Sequence, residues 1–131
     1  MENEVVLTPP IGRFARSSAI DTGKGDLVFL SGTATIGQAP YDIRSQARII
    51  FTKLELFLRE HGGGLKDLVK ITAFLSDMRE YEGYNEVRNE VFKNFDRPPA
   101  SSSVESRLVY PELRVEVEGI AFIPNKGAQH E

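Results

Sequence analysis

The chain of 131 residues contains no cysteine. That excludes disulfides, thiolate nucleophiles and cysteine-ligated metal sites. Histidine is almost as scarce: His61 and His130 are the only two, too few to build a zinc cluster by themselves. No metal is therefore expected. Positive charge is not in excess either, since 16 Lys and Arg stand against 19 Asp and Glu for a net charge of −3. No basic field draws in a phosphate backbone, so the sequence predicts no nucleic-acid partner. No apolar run approaches the roughly 20 residues that a spanning helix needs. The acidic start Met-Glu-Asn-Glu lacks the apolar core of a secretory signal. A cytoplasmic protein with no membrane partner is the expectation.

What is present has the balance of an ordinary globular domain, with 40% hydrophobic and 27% charged residues. There is no internal repeat and no linker. The sequence predicts one domain over residues 1–131, its core at about 9–123, with frayed polar tails at 1–8 and 125–131. A domain this small gains from burying further surface in an oligomer. Phe14 to Ile20 predicts a first, irregular strand, and Asp26 to Ala34 a second. Gly37 to Pro40 turns the chain, and Asp42 is placed as a helix N-cap. Ile43, Ala47, Ile50, Leu54, Phe57 and Leu58 recur at helical spacing, with Lys53, Arg59 and Glu60 between them. Gly62-Gly63-Gly64 then allows a left-handed exit. Leu68 to Leu75 is a third strand. A second helix carries Tyr81, Tyr84, Val87, Val91, Phe92 and Phe95, and Pro98-Pro99 ends it. Strands over 101–108 and 113–122, joined by a turn at 109–112, complete the order ββαβαββ.

Two strand–helix–strand crossovers beside antiparallel hairpins predict an α+β fold: a mixed sheet with parallel pairings and both helices on one face. The last strand describes the other face. Val115 and Val117 point one way, and Arg114, Glu116 and Glu118 point the other. One side is a core; the other is polar enough for a wet interface or a cleft.

The segment Arg97-Pro-Pro-Ala-Ser-Ser-Ser-Val-Glu-Ser-Arg107, with Leu113-Arg-Val-Glu-Val-Glu-Gly-Ile-Ala121 behind it, resembles the active-site strands of the Rid family. These are the reactive intermediate deaminases, also called YjgF/YER057c/UK114 or endoribonuclease L-PSP-like. The family reads Pro-x-Arg-Ser-(Cys/Thr) where this chain has Pro99-Ala-Ser-Ser-Ser103. Gly12-Arg-Phe-Ala resembles its Gly-Pro-Tyr-Ser, and Leu27-Val-Phe-Leu-Ser-Gly-Thr its Leu-(Phe/Ile)-x-Ser-Gly-Gln. Asp42 to Gln46, Asp67 to Asp77 and Tyr84-Asn85-Glu-Val resemble its first helix start, its central strand and its second-helix asparagine. The runs 82–87 and 107–113 are similar to the 2-aminomuconate deaminase branch, although the longer loop of that branch after Ser-Gly-Thr is absent.

The resemblance implies a chorismate-mutase-like barrel of three identical chains, with clefts at the subunit interfaces that hold a small carboxylate or imine-type metabolite. It implies hydrolysis of imines and enamines such as 2-aminoacrylate, releasing ammonia with no metal or organic cofactor. In the family an arginine clamps the substrate carboxylate fork on fork, while a backbone amide and a glutamate place the imine and the water. Two departures stand out. Ser101 occupies the arginine's position and Phe14 the tyrosine's. Losing a charge-assisted pair typically costs a few kcal/mol of binding, or about two decades of affinity.

Glu116 falls on the family's glutamate, where it would orient or deprotonate water; the alternative is a solvated strand residue. Asn85 falls on the helix asparagine, either holding ligand or merely exposed. Ser31 and Gly32 end the second strand, where a glycine admits a ligand or simply makes a bulge. Ser101, Ser102 and Ser103 offer hydroxyls and backbone N–H groups to an anion, or form a plain polar strand. Neither histidine is placed to complete a triad with them. Three arginines are candidates to restore the clamp: Arg16 first, on the face of Phe14; Arg88, nearly a turn beyond Asn85; and Arg107, six residues after Ser101. Catalysis is thus expected of Glu116, Ser101 and Ser103. Ligand binding is expected of Phe14, Arg16, Ser31, Gly32, Asn85, Arg88, Ser102 and Arg107. Two functions follow: a Rid-like deaminase of imine, enamine or aminomuconate-type acids, or a non-catalytic metabolite binder or sensor on the same trimer. A ribonuclease fits neither the acidic charge nor the missing histidine pair.

Overall fold

A computed structural model describes residue 5 and residues 7–126 of the chain. Most of the two expected tails, and His130 with them, lie outside the described residues. The elements are β1 (Ser17–Asp21), β2 (Gly25–Thr33), α1 (Ile43–Arg59), β3 (Leu68–Leu75), α2 (Tyr81–Phe92), β4 (Ala100–Glu105) and β5 (Val115–Pro124). Short 3₁₀ turns at Leu65–Asp67 and Met78–Glu80 lead into β3 and α2. The order is the expected ββαβαββ, and the fold is mixed α+β.

The five strands form one sheet in the order β1-β2-β5-β3-β4. Only β3 and β4 are parallel neighbours; β1–β2, β2–β5 and β3–β5 are antiparallel. This corrects the expectation that each crossover makes a parallel pair. The first crossover leaves β2 and β3 apart, and β5 enters between them, satisfying the free edges of both. The strands carrying Ser101 and Glu116 are therefore not paired, because β3 separates them.

Helix α1 starts where sequence puts it. The Asp42 carboxylate accepts from the Ser45 N–H at 3.0 Å, a side-chain N-cap. Ala47, Ile50, Leu54 and Leu58 are fully buried along one stripe. Gly62 lies at φ +86°, the left-handed exit that glycine permits without strain. Helix α2 stops at Phe92 rather than Phe95; the chain leaves the helix after Lys93, yet Phe95 still packs edge-on against Phe92. Against these stripes stand Val28, Leu30, Ile71, Ala73, Leu75, Val115, Val117, Ala121 and Ile123 from the sheet. Each fully buried Leu, Ile or Val contributes about 1.5–3 kcal/mol.

Register assigns every strand residue to a face. Val117 opposes Ala73 and Thr33 on the helix side, while Glu116 opposes Phe74 on the open side. Parallel pairing with β3 puts Ser101 and Ser103 beside Ile71 and Ala73, on the helix side. Ser102 pairs with Thr72 on the open side. The open face carries Glu116 and Glu118 together with the exposed apolar residues Ile20, Phe29 and Val104. Among the described residues no helix is long and apolar enough to cross a membrane.

Candidate functional site

The predicted site residues fall into two groups, and a single chain does not bring them together. The first group surrounds a break in the sheet. Between Leu30 and Thr33 the β2–β5 register slips, a bulge that leaves β2 with an extra residue. A cavity of about 230 Å³ opens there, lined by Phe14, Arg16, Ser31, Gly32 and Glu116 among others. The predicted first strand begins late, at Ser17, so Phe14 and Arg16 lie on the irregular segment before it. Ser31 holds that segment down: its N–H donates to Arg16 O at 3.0 Å and its Oγ to Ala15 O at 2.6 Å.

Gly32 leaves the space that the Glu116 carboxyl fills. A Cβ on it would collide with the Oε2 of Glu116. The carboxyl thus rests against bare backbone, as the sequence reading of this glycine allows. Burial raises the Glu116 pKa above the usual carboxylate value, and the Glu118 charge raises it further. A carboxyl held in this way exchanges protons more readily at moderate pH than a solvated one.

One member of this cavity escaped the sequence reading. Lys53, taken as a polar residue between the apolar positions of α1, is only 5% exposed. Its Nζ donates to Ala34 O at 3.1 Å, and the side chain lines the same cavity as Glu116. The signal was available: Lys53 lies four residues after Ile49 and four before Phe57, both buried, so it shares their stripe. Its charged type concealed this.

The second group gathers where α2 faces β4. Arg88 donates through Nη1 to Ser101 Oγ at 3.0 Å and through Nη2 to Tyr81 Oη at 3.1 Å. The same Nη2 also donates to Asn85 Oδ1, three residues earlier on nearly the same side of the helix. The guanidinium carbon lies 5.4 Å from the Tyr84 ring centroid and 5.8 Å from that of Tyr81. Tyr84 is fully buried, and burial pushes its phenol up to about 12. Ser103 Oγ is buried beside this cluster without a hydrogen-bond partner. The two tyrosines were read from sequence as an apolar stripe only; their hydroxyl ends belong to the site.

Two predicted residues join neither group. Ser102 faces the open side and accepts from Lys70 Nζ at 3.2 Å. Arg107 was placed by counting along an extended strand, but β4 ends at Glu105 and the alternation stops with it. Arg107 is exposed and lines neither cavity.

The fold defines a class: small ββαβαββ proteins whose sheet has one helix-covered face and one open face, with clefts at its ends. Comparison with known proteins narrows it. The profile of the family described as Endoribonuclease L-PSP matches residues 7–123, and the chain belongs to that family, the Rid/YjgF family. A RutC family protein of Pyrococcus abyssi is 28% identical, over 93% of this chain and 98% of its own. TdcF of Escherichia coli K12, whose name provisionally calls it a reactive intermediate deaminase, is 28% identical over 74% of this chain and 79% of its own. A crystal structure of E. coli TdcF with bound serine superposes with a TM-score of 0.75 at 25% identity, covering 92% of this chain and 98% of that one.

Proposed function

We propose that this protein binds a small imine- or enamine-bearing carboxylic acid, of the 2-aminoacrylate or aminomuconate type, in clefts completed by a second copy of the chain. There it hydrolyses the C–N bond without a metal or organic cofactor. The observation that carries this is the division of the site. Glu116 and Ser101 lie on opposite faces of one sheet, each in a partial cleft. A neighbouring copy, in the homotrimer that the family resemblance implies, would set one group against the other. Ile20, Phe29 and Val104, exposed on the open face, are the kind of apolar surface that such an assembly covers.

In the chemical step, an enamine first takes a proton from water at its β-carbon and becomes the imine; water then adds to the imine carbon, and the carbinolamine collapses to a carbonyl compound and ammonia. Glu116 accepts a proton from the attacking water and returns it to the departing nitrogen, which suits a carboxyl with a raised pKa. Arg88 supplies a guanidinium at the place where Ser101 has none of its own. The chain works as one domain in this reading.

A specific departure favours a second reading, a binder or sensor of such metabolites without turnover: Ser101 and Phe14 replace the family's arginine and tyrosine. Ammonia release from 2-aminoacrylate generated in situ separates the two. Catalysis should exceed the uncatalysed rate, and Glu116→Gln should lower it about 100-fold or more. Release no faster than in buffer would leave the binder as the function.

A further inference from the structure

Lys53 is the charged residue that the fold buries among the described residues. It is a nearly buried ammonium on a residue that lines the cavity, and among the described residues its hydrogen-bond partner is a neutral one, the Ala34 carbonyl. Among the described residues no carboxylate lies within ion-pair reach of it. Its charged neighbour is another cation, Arg16. Arg16 also lacks a carboxylate partner among the described residues: Nη2 donates to Thr8 O at 2.5 Å, and the guanidinium lies 5.4 Å from the Phe57 ring centroid. Glu116 lines the same cavity but pairs with neither. A buried, unpaired charge is destabilising, and a second like charge beside it adds to the cost. Burial first, and then Arg16, depress the Lys53 pKa, as that arrangement requires.

Two cations around a small hollow, neither of them ion-paired to Glu116 or to another carboxylate among the described residues, are complementary to an anion from outside. Its walls mix apolar residues, Phe14, Ile36 and Phe57 among them, with the polar Ser31, Thr33 and Glu116. Its volume of about 230 Å³ admits a molecule of a few heavy atoms. We propose that Lys53 and Arg16 form an anion subsite in the Glu116 cavity, one that takes the carboxylate of a short aliphatic acid and turns the acid's remaining atoms toward Glu116. The subsite is distinct from the Arg88–Ser101 cluster, which lies on the helix side between α2 and β4. It rests on the reading of this cavity as part of a small-carboxylate site. It does not need turnover, so its failure and the failure of deamination are separate results.

The test is calorimetric titration of the full chain with butyrate and with its neutral isostere butyramide, at fixed ionic strength. Butyrate should bind the native protein at least tenfold more tightly than butyramide. Lys53→Met should remove that preference, and Lys53→Arg should keep most of it. Lys53→Met should also melt no lower than the native protein, because an apolar side chain of similar length replaces an unpaired buried charge. Should the Met variant not fold, Arg16→Leu, at a part-exposed position, must lower the preference by tenfold or more. Equal affinity of the native protein for butyrate and butyramide would overturn the subsite. So would an undiminished preference in Lys53→Met, or, where that variant does not fold, in Arg16→Leu.

Discussion

Glu116 owes its chemistry to two neighbours, Gly32 and Glu118. Gly32 leaves the space its carboxyl fills, and the bulge in β2 puts Gly32 there. Glu118, two residues on and on the same face, repels it. Because the folded pKa is raised above the unfolded value of 4.5, the native state binds more protons than the unfolded chain between those two values. The stabilisation from neutral Glu116 is complete below 4.5 and is lost as pH rises through the raised pKa. Denaturant titrations across this window should show native stability falling with pH. Glu116→Gln should remove that part of the slope, and an unchanged slope would mean the carboxyl is solvated after all. At this scale the site was legible where identity alone decides. Glu116 and Asn85 could be read as candidates because they fall on the glutamate and the helix asparagine of the family that the chain resembles, whereas Lys53 could not, because a lysine in an amphipathic helix reads as surface.

Elements decide which residues meet. Helix α2 presents Asn85 and Arg88 one turn apart, and that spacing is local, so the contact between them was predictable from sequence. Strand β4 was different. Counting by parity put Arg107 on the face of Ser101, but the early end of the strand at Glu105 removed Arg107 from the count. Strand ends are set by where partner strands stop, and β3 ends at Leu75, opposite Glu105. The β2 bulge is the element that makes the cavity, and Gly32→Ala tests it. Gly32 is not in a left-handed conformation, and its obstacle is the end of a flexible side chain, so the fold should tolerate the methyl group. The expected loss of stability is about 1 kcal/mol or less. The Glu116 carboxyl, followed by its NMR titration, should move toward an ordinary value as it is pushed out of its niche. A titration identical to the native one would show that Gly32 does not shape the site.

The whole molecule leaves its open sheet face uncovered. Phe29 sits opposite Ile120 there, with Ile20 and Val104 also exposed. Gel filtration should give a particle near three times the 14.6 kDa chain. Phe29→Glu brings a third carboxylate to the face of Glu116 and Glu118, and should shift the particle toward the single chain with helix content unchanged by circular dichroism. A native protein that elutes as one chain would remove the shared cleft, and with it the proposed deaminase.

Sequence alone determined the element order, the Asp42 cap, the alternation of β5 and the family, because each depends on local spacing or on residue types in a fixed order. Only the tertiary structure decided that β5 runs between β2 and β3, that Ser101 and Glu116 lie on opposite faces, that Arg88 reaches Ser101, and that Lys53 is buried beside Arg16. These depend on which sheet edges remain to be filled and on what lies behind a side chain once helices and sheet close over it. That information belongs to contacts between residues far apart in the chain.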